Sequence, residues 1–158
     1  MLVRVFDQQG LPANASVTFR PVNRFDTWSF TSTKNGECEF ECLEAATYIV
    51  CASTNQGLFA HSGRLVIDAG KVMGPVDLRL ALGAKLRVQY DGDQSARTYR
   101  VIVEGTTCAR DKIARGTTRT FIVPCGEIEL QAEAEQLAPA TSERFVVYPG
   151  EERYVTVR

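Results

Sequence analysis

Apolar and polar residues alternate through most of this chain. Val3 and Val5 flank Arg4, and Val17 and Phe19 alternate with Thr18 and Arg20. Trp28 and Phe30 alternate with Thr27, Ser29 and Thr31, and Cys38, Phe40 and Cys42 with Glu37, Glu39 and Glu41. Leu86 and Val88 continue the pattern around Arg87 and Gln89, and Ile128, Leu130, Ala132 and Ala134 around Glu129, Gln131, Glu133 and Glu135. A period of two puts successive side chains on opposite faces of a strand, one buried and one wet. By this rule Trp28 and Phe30 point inward, since large aromatics dominate cores.

Turn residues separate the strands: Gln9-Gly10, Asn35-Gly36, Ala69-Gly70, Asp91-Gly92 and Pro149-Gly150. Short strands with regular turns predict an all-β chain of antiparallel sandwiches with little or no helix. One segment is ambiguous. EIELQAEAEQLA (127–138) is rich in helix formers yet alternates. Strand is predicted for 127–133, with a short helical turn open at 134–138.

The chain also repeats. LEAATYIV (43–50) and VPCGEIEL (123–130) fit one template 80 positions apart, as do RLVIDAG (64–70) and RFVVYPG (144–150). With 158 residues, this predicts two β-sandwich domains, 1–81 and a more divergent 82–158. The join near Leu82-Gly83-Ala84-Lys85 has no Pro/Ser-rich spacer. No chemically reactive residue recurs at the offset: Cys125 falls on Ala45 and His61 on Thr141. Specific function is therefore expected where the copies differ, at 20–33 and 97–119.

Charge narrows the partners. A net charge of −1 creates no field to gather nucleic acid or an anionic membrane. Neither a signal peptide nor a membrane span is read from MLVRVFDQQG or from the short apolar runs. The chain is then cytoplasmic if full length, or a piece of a longer protein. Five cysteines, an odd number, fit thiols used as small apolar residues better than a disulfide framework.

The candidate chemistry is sparse. His61, the sole histidine, lies beside Ser62, but a catalytic pair is defined by geometry and not by adjacency. Cys38, Cys42, Cys51 and His61 suit zinc by type only. Cys38 and Cys42 would lie about 13 Å apart in a strand at about 3.3 Å per residue, too far for one zinc or one disulfide. Cys38 could meet Cys51 in one hairpin register; in the other, Cys51 points away from the core. Cys108 and Cys125 are the second bridge the sequence leaves open, since connectivity cannot be read from spacing. Asp91-Gly92-Asp93 lacks the further ligands of a calcium loop and reads as a hairpin turn after LRVQY.

Two stretches are candidate binding surfaces. Arg24, Phe25, Asp26 and Trp28 offer an aromatic face beside charges, suited to a sugar or a peptide. Arg97, Arg100, Arg110, Lys112, Arg115 and Arg119 form a basic run suited to an anion or an acidic partner, although a solvated face is the commoner origin of such runs.

The first copy, with VRVFDQQGLPANASVTFRP, then TSTKNGECEFECLEAATYIVCAS, then LVIDAGKVMGPVDLRL, resembles the carboxypeptidase regulatory-like domain, a transthyretin-like (prealbumin-like) sandwich. Asp7, Gly10, Pro12, Ala15, Val17, Gly36, Phe40, Leu43, Tyr48 and Val50 stand at matching positions. Cys38 replaces the usual aromatic and Ala46 the usual Gly. The second copy keeps Val123, Gly126, Ile128 and Leu130. The resemblance implies a non-enzymatic accessory module, often at cell surfaces, that packs on protein neighbours or binds ligands such as carbohydrate. It implies no cofactor and no metal. The transthyretin-like hydrolases need several His and a Tyr-Arg-Gly-Ser ending, where this chain has one His and ends Tyr154-Val155-Thr156-Val157-Arg158. Pilin-like Cna-B domains need a Lys–Asn pair that Val3-Arg4-Val5 and Val76-Asp77-Leu78 do not supply.

Overall fold

A computed structural model describes all residues except 23–28, 42–43, 69–72, 104 and 134–140. The described residues form strands and turns with no helix. In order the strands are β1 (Leu2–Phe6), β2 (Ser16–Pro21), β3 (Ser29–Ser32), β4 (Glu37–Glu39), β5 (Ala46–Ser53), β6 (Leu58–Ile67), β7 (Val76–Arg79) and β8 (Ala81–Leu82). They continue with β9 (Ala84–Tyr90), β10 (Ala96–Val103), β11 (Thr106–Ala114), β12 (Thr118–Val123), β13 (Gly126–Ala132), β14 (Thr141–Val147) and β15 (Glu152–Val157).

The chain divides into two compact units, Met1–Ala81 and Leu82–Arg158. The first has a small sheet ordered β4-β1-β7 and a larger one ordered β3-β2-β5-β6, with β8 at its end. The second has a small sheet ordered β12-β9-β15 and a larger one ordered β11-β10-β13-β14. Strand for strand, the orders match. Each small sheet contains one parallel pair, β1 with β7 and β9 with β15, within an otherwise antiparallel fold.

In the first unit the alternation delivers both sheets to one core. Val3 and Val5 of β1, Phe40 after β4, and Val76 and Leu78 of β7 meet Val17, Phe19, Tyr48, Val50, Ala60 and Ile67 from the larger sheet. Phe19 stacks on Phe40 at 5.0 Å and on Tyr48 at 4.4 Å. Each such side chain contributes about 1.5–3 kcal/mol when fully buried. In the second unit Leu86, Val88, Phe121 and Val123 of the small sheet are buried, as are Tyr99, Val101, Ile128 and Leu130 of the larger. Tyr90 and Tyr99 cross between the sheets with ring centroids 6.0 Å apart.

The turns follow their residue chemistry. Asn35 and Gly36 both take positive φ, 53° and 79°, as the centre of a two-residue hairpin needs. Lys34 and Glu37 close that turn with a reciprocal pair of backbone bonds at 2.9 and 3.1 Å. The turn after LRVQY is not a hairpin. β9 lies in the small sheet and β10 in the larger, so Asp91–Ser95 carries the chain between layers. Gly92 is required there because a Cβ would sit 2.4 Å from the Tyr90 ring. The helical turn left open at 134–138 lies outside the described residues.

Candidate functional site

The larger sheet of the first unit has a second face, turned away from the core. Its cross-strand rungs read Ser32–Ser16–Ser53–Phe59, then Phe30–Thr18–Cys51–His61, then Arg20–Ile49–Arg64. Ile49, Cys51 and Phe59 are buried on this face. Phe30 is 59% exposed. This corrects the inward placement expected for Phe30: it pairs with Thr18, whereas Thr31 pairs with core-facing Val17. Arg24, Phe25, Asp26 and Trp28, expected to bind a ligand here, lie outside the described residues.

His61 and Ser62 do not form a catalytic pair. A bulge between Ile49 and Cys51 interrupts the β5–β6 ladder and leaves Val50 opposite two residues, Ser62 and Gly63. Ser62 Oγ accepts the Val50 N–H at 3.0 Å and donates to the Gly63 carbonyl at 2.8 Å. His61 Nδ1 accepts the Gly63 N–H at 3.3 Å. Both side chains repair the ladder around the bulge, because a buried N–H left unpaired is costly.

The basic run of the second unit is dispersed by its strand geometry. Arg97 faces inward and is 5% exposed, donating to the Arg158 carbonyl at 3.3 Å. Arg100 and Arg110 are cross-strand partners and converge on Glu133, at 3.3 and 2.7 Å. That carboxyl is held below its usual range, first by the Arg110 hydrogen bonds and then by the two positive charges, against some desolvation. Arg119, on β12 of the other sheet, pairs with Asp111 at 3.3 Å. Lys112 and Arg115 are exposed. The acid partners come from positions that spacing along the chain does not pair with the arginines.

Four of the cysteines lie among the described residues, and all four are reduced thiols. Cys38 sits opposite Val3 in the small sheet, and Cys51 lies in the larger one, facing away from the core. No bridge joins Cys108 to Cys125. Cys108 is the extra residue of a bulge between Val101 and Ile102 and turns its thiol onto the Val101 carbonyl at 3.4 Å. Cys125, exposed in the β12–β13 turn, donates to the Leu82 carbonyl at 3.1 Å. Burial pushes the Cys51 thiol up to about 12, only partly offset by the charge of Arg20. Burial, then Glu151, raises Cys125. Among the described residues no group of three or more His, Cys, Asp or Glu is placed to hold a metal ion.

The concavities lie elsewhere. A cleft of about 500 Å³ in the second unit is lined by Tyr99, Leu130 and Ala132, with Ser142 of β14 and Thr156 of β15 among its walls. A shallower polar groove of about 220 Å³ in the first unit gathers Asn14, Ser16, Ser32, Ser53 and Asn55. Neither was legible in the sequence, because each is assembled from the ends of strands distant along the chain.

No protein-family model matches the chain. No curated protein matches it. Among solved structures it is similar to a streptococcal ancillary pilin at 12% identity and a TM-score of 0.35, over 99% of this chain and 61% of that one. It is also similar to the major pilin T3.2 of Streptococcus pyogenes serotype GAS13637 at 11% identity and a TM-score of 0.27, over 99% and 96%. The chain therefore spans 61% of the ancillary pilin's length.

Proposed function

We propose that this chain is a non-enzymatic module of two carboxypeptidase regulatory-like β-sandwiches, produced by duplication, with a structural or protein-interaction role in a larger assembly. One observation carries the reading: the two units have the same strand order in both sheets, down to the parallel pair in each small sheet. What they share is scaffold. The polar groups that differ between them are engaged in holding it together, Ser62 and Cys108 at bulges and Glu133 between two arginines. Fold alone assigns no reaction, and sites must be argued from their residues. Here those residues support partners that are proteins or neighbouring domains.

The test is cross-linking of the intact chain in its native cell, with partner peptides mapped to Lys34, Lys85 and Lys112. The expected result is a defined protein neighbour, alongside flat responses on a glycan array and a panel of ester and amide substrates. Turnover that His61→Ala abolishes, or saturable glycan binding, would overturn the reading.

A further inference from the structure

The two units differ at one edge of the sandwich. In the first, the inward residues after β6 continue into a closed core: Val76, Leu78 and Leu80 are all buried, Leu80 at 2% exposure. Leu80 donates its N–H to Phe6 at 2.8 Å, and the chain then forms β8 alongside β6. The segment Leu80-Ala81-Leu82 thus carries the chain from the edge of one sheet to the edge of the other. The second unit has no such strand among its described residues. β14 ends its sheet without a further neighbour. The inward residues of β15, Arg153, Val155 and Val157, are only half-buried. The cleft of about 500 Å³ opens here, between β14 and β15, with Tyr99 (1% exposed), Leu130 and Ala132 at its floor.

An outer strand edge is a template for a further strand. When an extended segment adds there, main-chain bonds supply affinity and pockets for alternate side chains supply specificity. The cleft falls within the range of about 300–1,000 Å³ typical of ligand sites. Its floor is apolar and aromatic, whereas Thr141, Ser142 and Thr156 at its walls carry hydroxyls.

We propose that this cleft accepts an extended segment of a partner protein, which pairs along β14 and sinks an apolar side chain onto Tyr99, Leu130 and Ala132. The fitting segment is apolar–small–apolar, the chemistry that Leu80-Ala81-Leu82 provides at the corresponding edge of the first unit. A second copy of this chain is a poor donor, because its own Leu80 is committed to the core of its first unit. The inference rests on the protein-interaction reading and specifies where and how the partner binds.

The test uses the full chain and a fluorescein-labelled peptide with the sequence of residues 78–83 (LRLALG). Anisotropy should rise saturably, and amide exchange should slow along Thr141–Val147. The same peptide with Leu80 and Leu82 replaced by Asp should not bind. Ser142→Trp and Thr156→Trp, both at exposed cleft positions, should each weaken binding about tenfold or more, equivalent to about 1.4 kcal/mol. Circular dichroism checks that each variant is folded, and either one suffices. The proposal is overturned by an absent or non-saturable response, by exchange protection confined to other strands, by unchanged affinity in a folded Trp variant, or by sedimentation showing that the chain occupies the cleft with a second copy. A peptide that fails to bind leaves the wider reading standing on its cross-linking result, so the two failures are distinguishable.

Discussion

Glu133 receives two hydrogen bonds from Arg110, Nε to Oε1 at 2.7 Å and Nη2 to Oε2 at 2.8 Å. The paired geometry ties β11 to the residue that follows β13, across the intervening β10. Both side chains keep some solvent access, so the pair is worth less than a fully buried one. Glu133→Gln should destabilise the chain by about 1 kcal/mol in urea unfolding near neutral pH. The folded-state pKa is depressed, so this stabilisation is present above the unfolded carboxylate value of about 4.3 and is lost as pH falls through the folded value. The gap between wild type and Glu133→Gln should therefore close on acidification. A gap that persists in strong acid would show that the ion pair is not its source.

Gly36 and Gly10 both take positive φ but differ in surroundings. A Cβ on Gly36 would lie 2.8 Å from Pro12 Cβ and 2.9 Å from the Val5 carbonyl, while one on Gly10 would meet nothing within 4 Å. Gly10→Ala should cost only the left-handed backbone penalty, about 1–2 kcal/mol. Gly36→Ala should cost clearly more, because the hairpin must also shift away from β1. Equal unfolding midpoints for the two variants would refute the steric account.

Ser62→Ala removes the acceptor for the Val50 N–H and leaves the bulge unrepaired. The expected cost is about 1–3 kcal/mol, with faster amide exchange at Val50. Exchange at wild-type rate would mean that water replaces the hydroxyl without loss.

Thiol accessibility should separate the cysteines. Under native conditions Cys125, exposed in its turn, should alkylate first, though slowly because its thiol is raised by burial and Glu151. Cys51 and Cys108, both buried, should label only on unfolding. Peptide-resolved mass spectrometry reads each site by itself. Early labelling of Cys51 would contradict the burial of that face.

Sequence patterning determined much of this molecule. Period-two alternation located the strands because a strand's side-chain period is a local property of its backbone. Asn35-Gly36 announced its hairpin because positive φ at adjacent positions demands those residues. The matching segments 80 positions apart pointed to one strand pattern used twice. What alternation could not choose was which face of each strand meets the core. Phe30 was expected inward and is exposed, because pairing with β2 places Thr31, not Phe30, on the core side. Nor could spacing find the partners of Arg100, Arg110 and Arg119, or the sheet to which β9 and β10 each belong. The cleft between β14 and β15 was equally hidden. These are decided by register between strands far apart in the chain, where a shift of one residue exchanges the two faces and only packing of the whole unit selects among the possibilities.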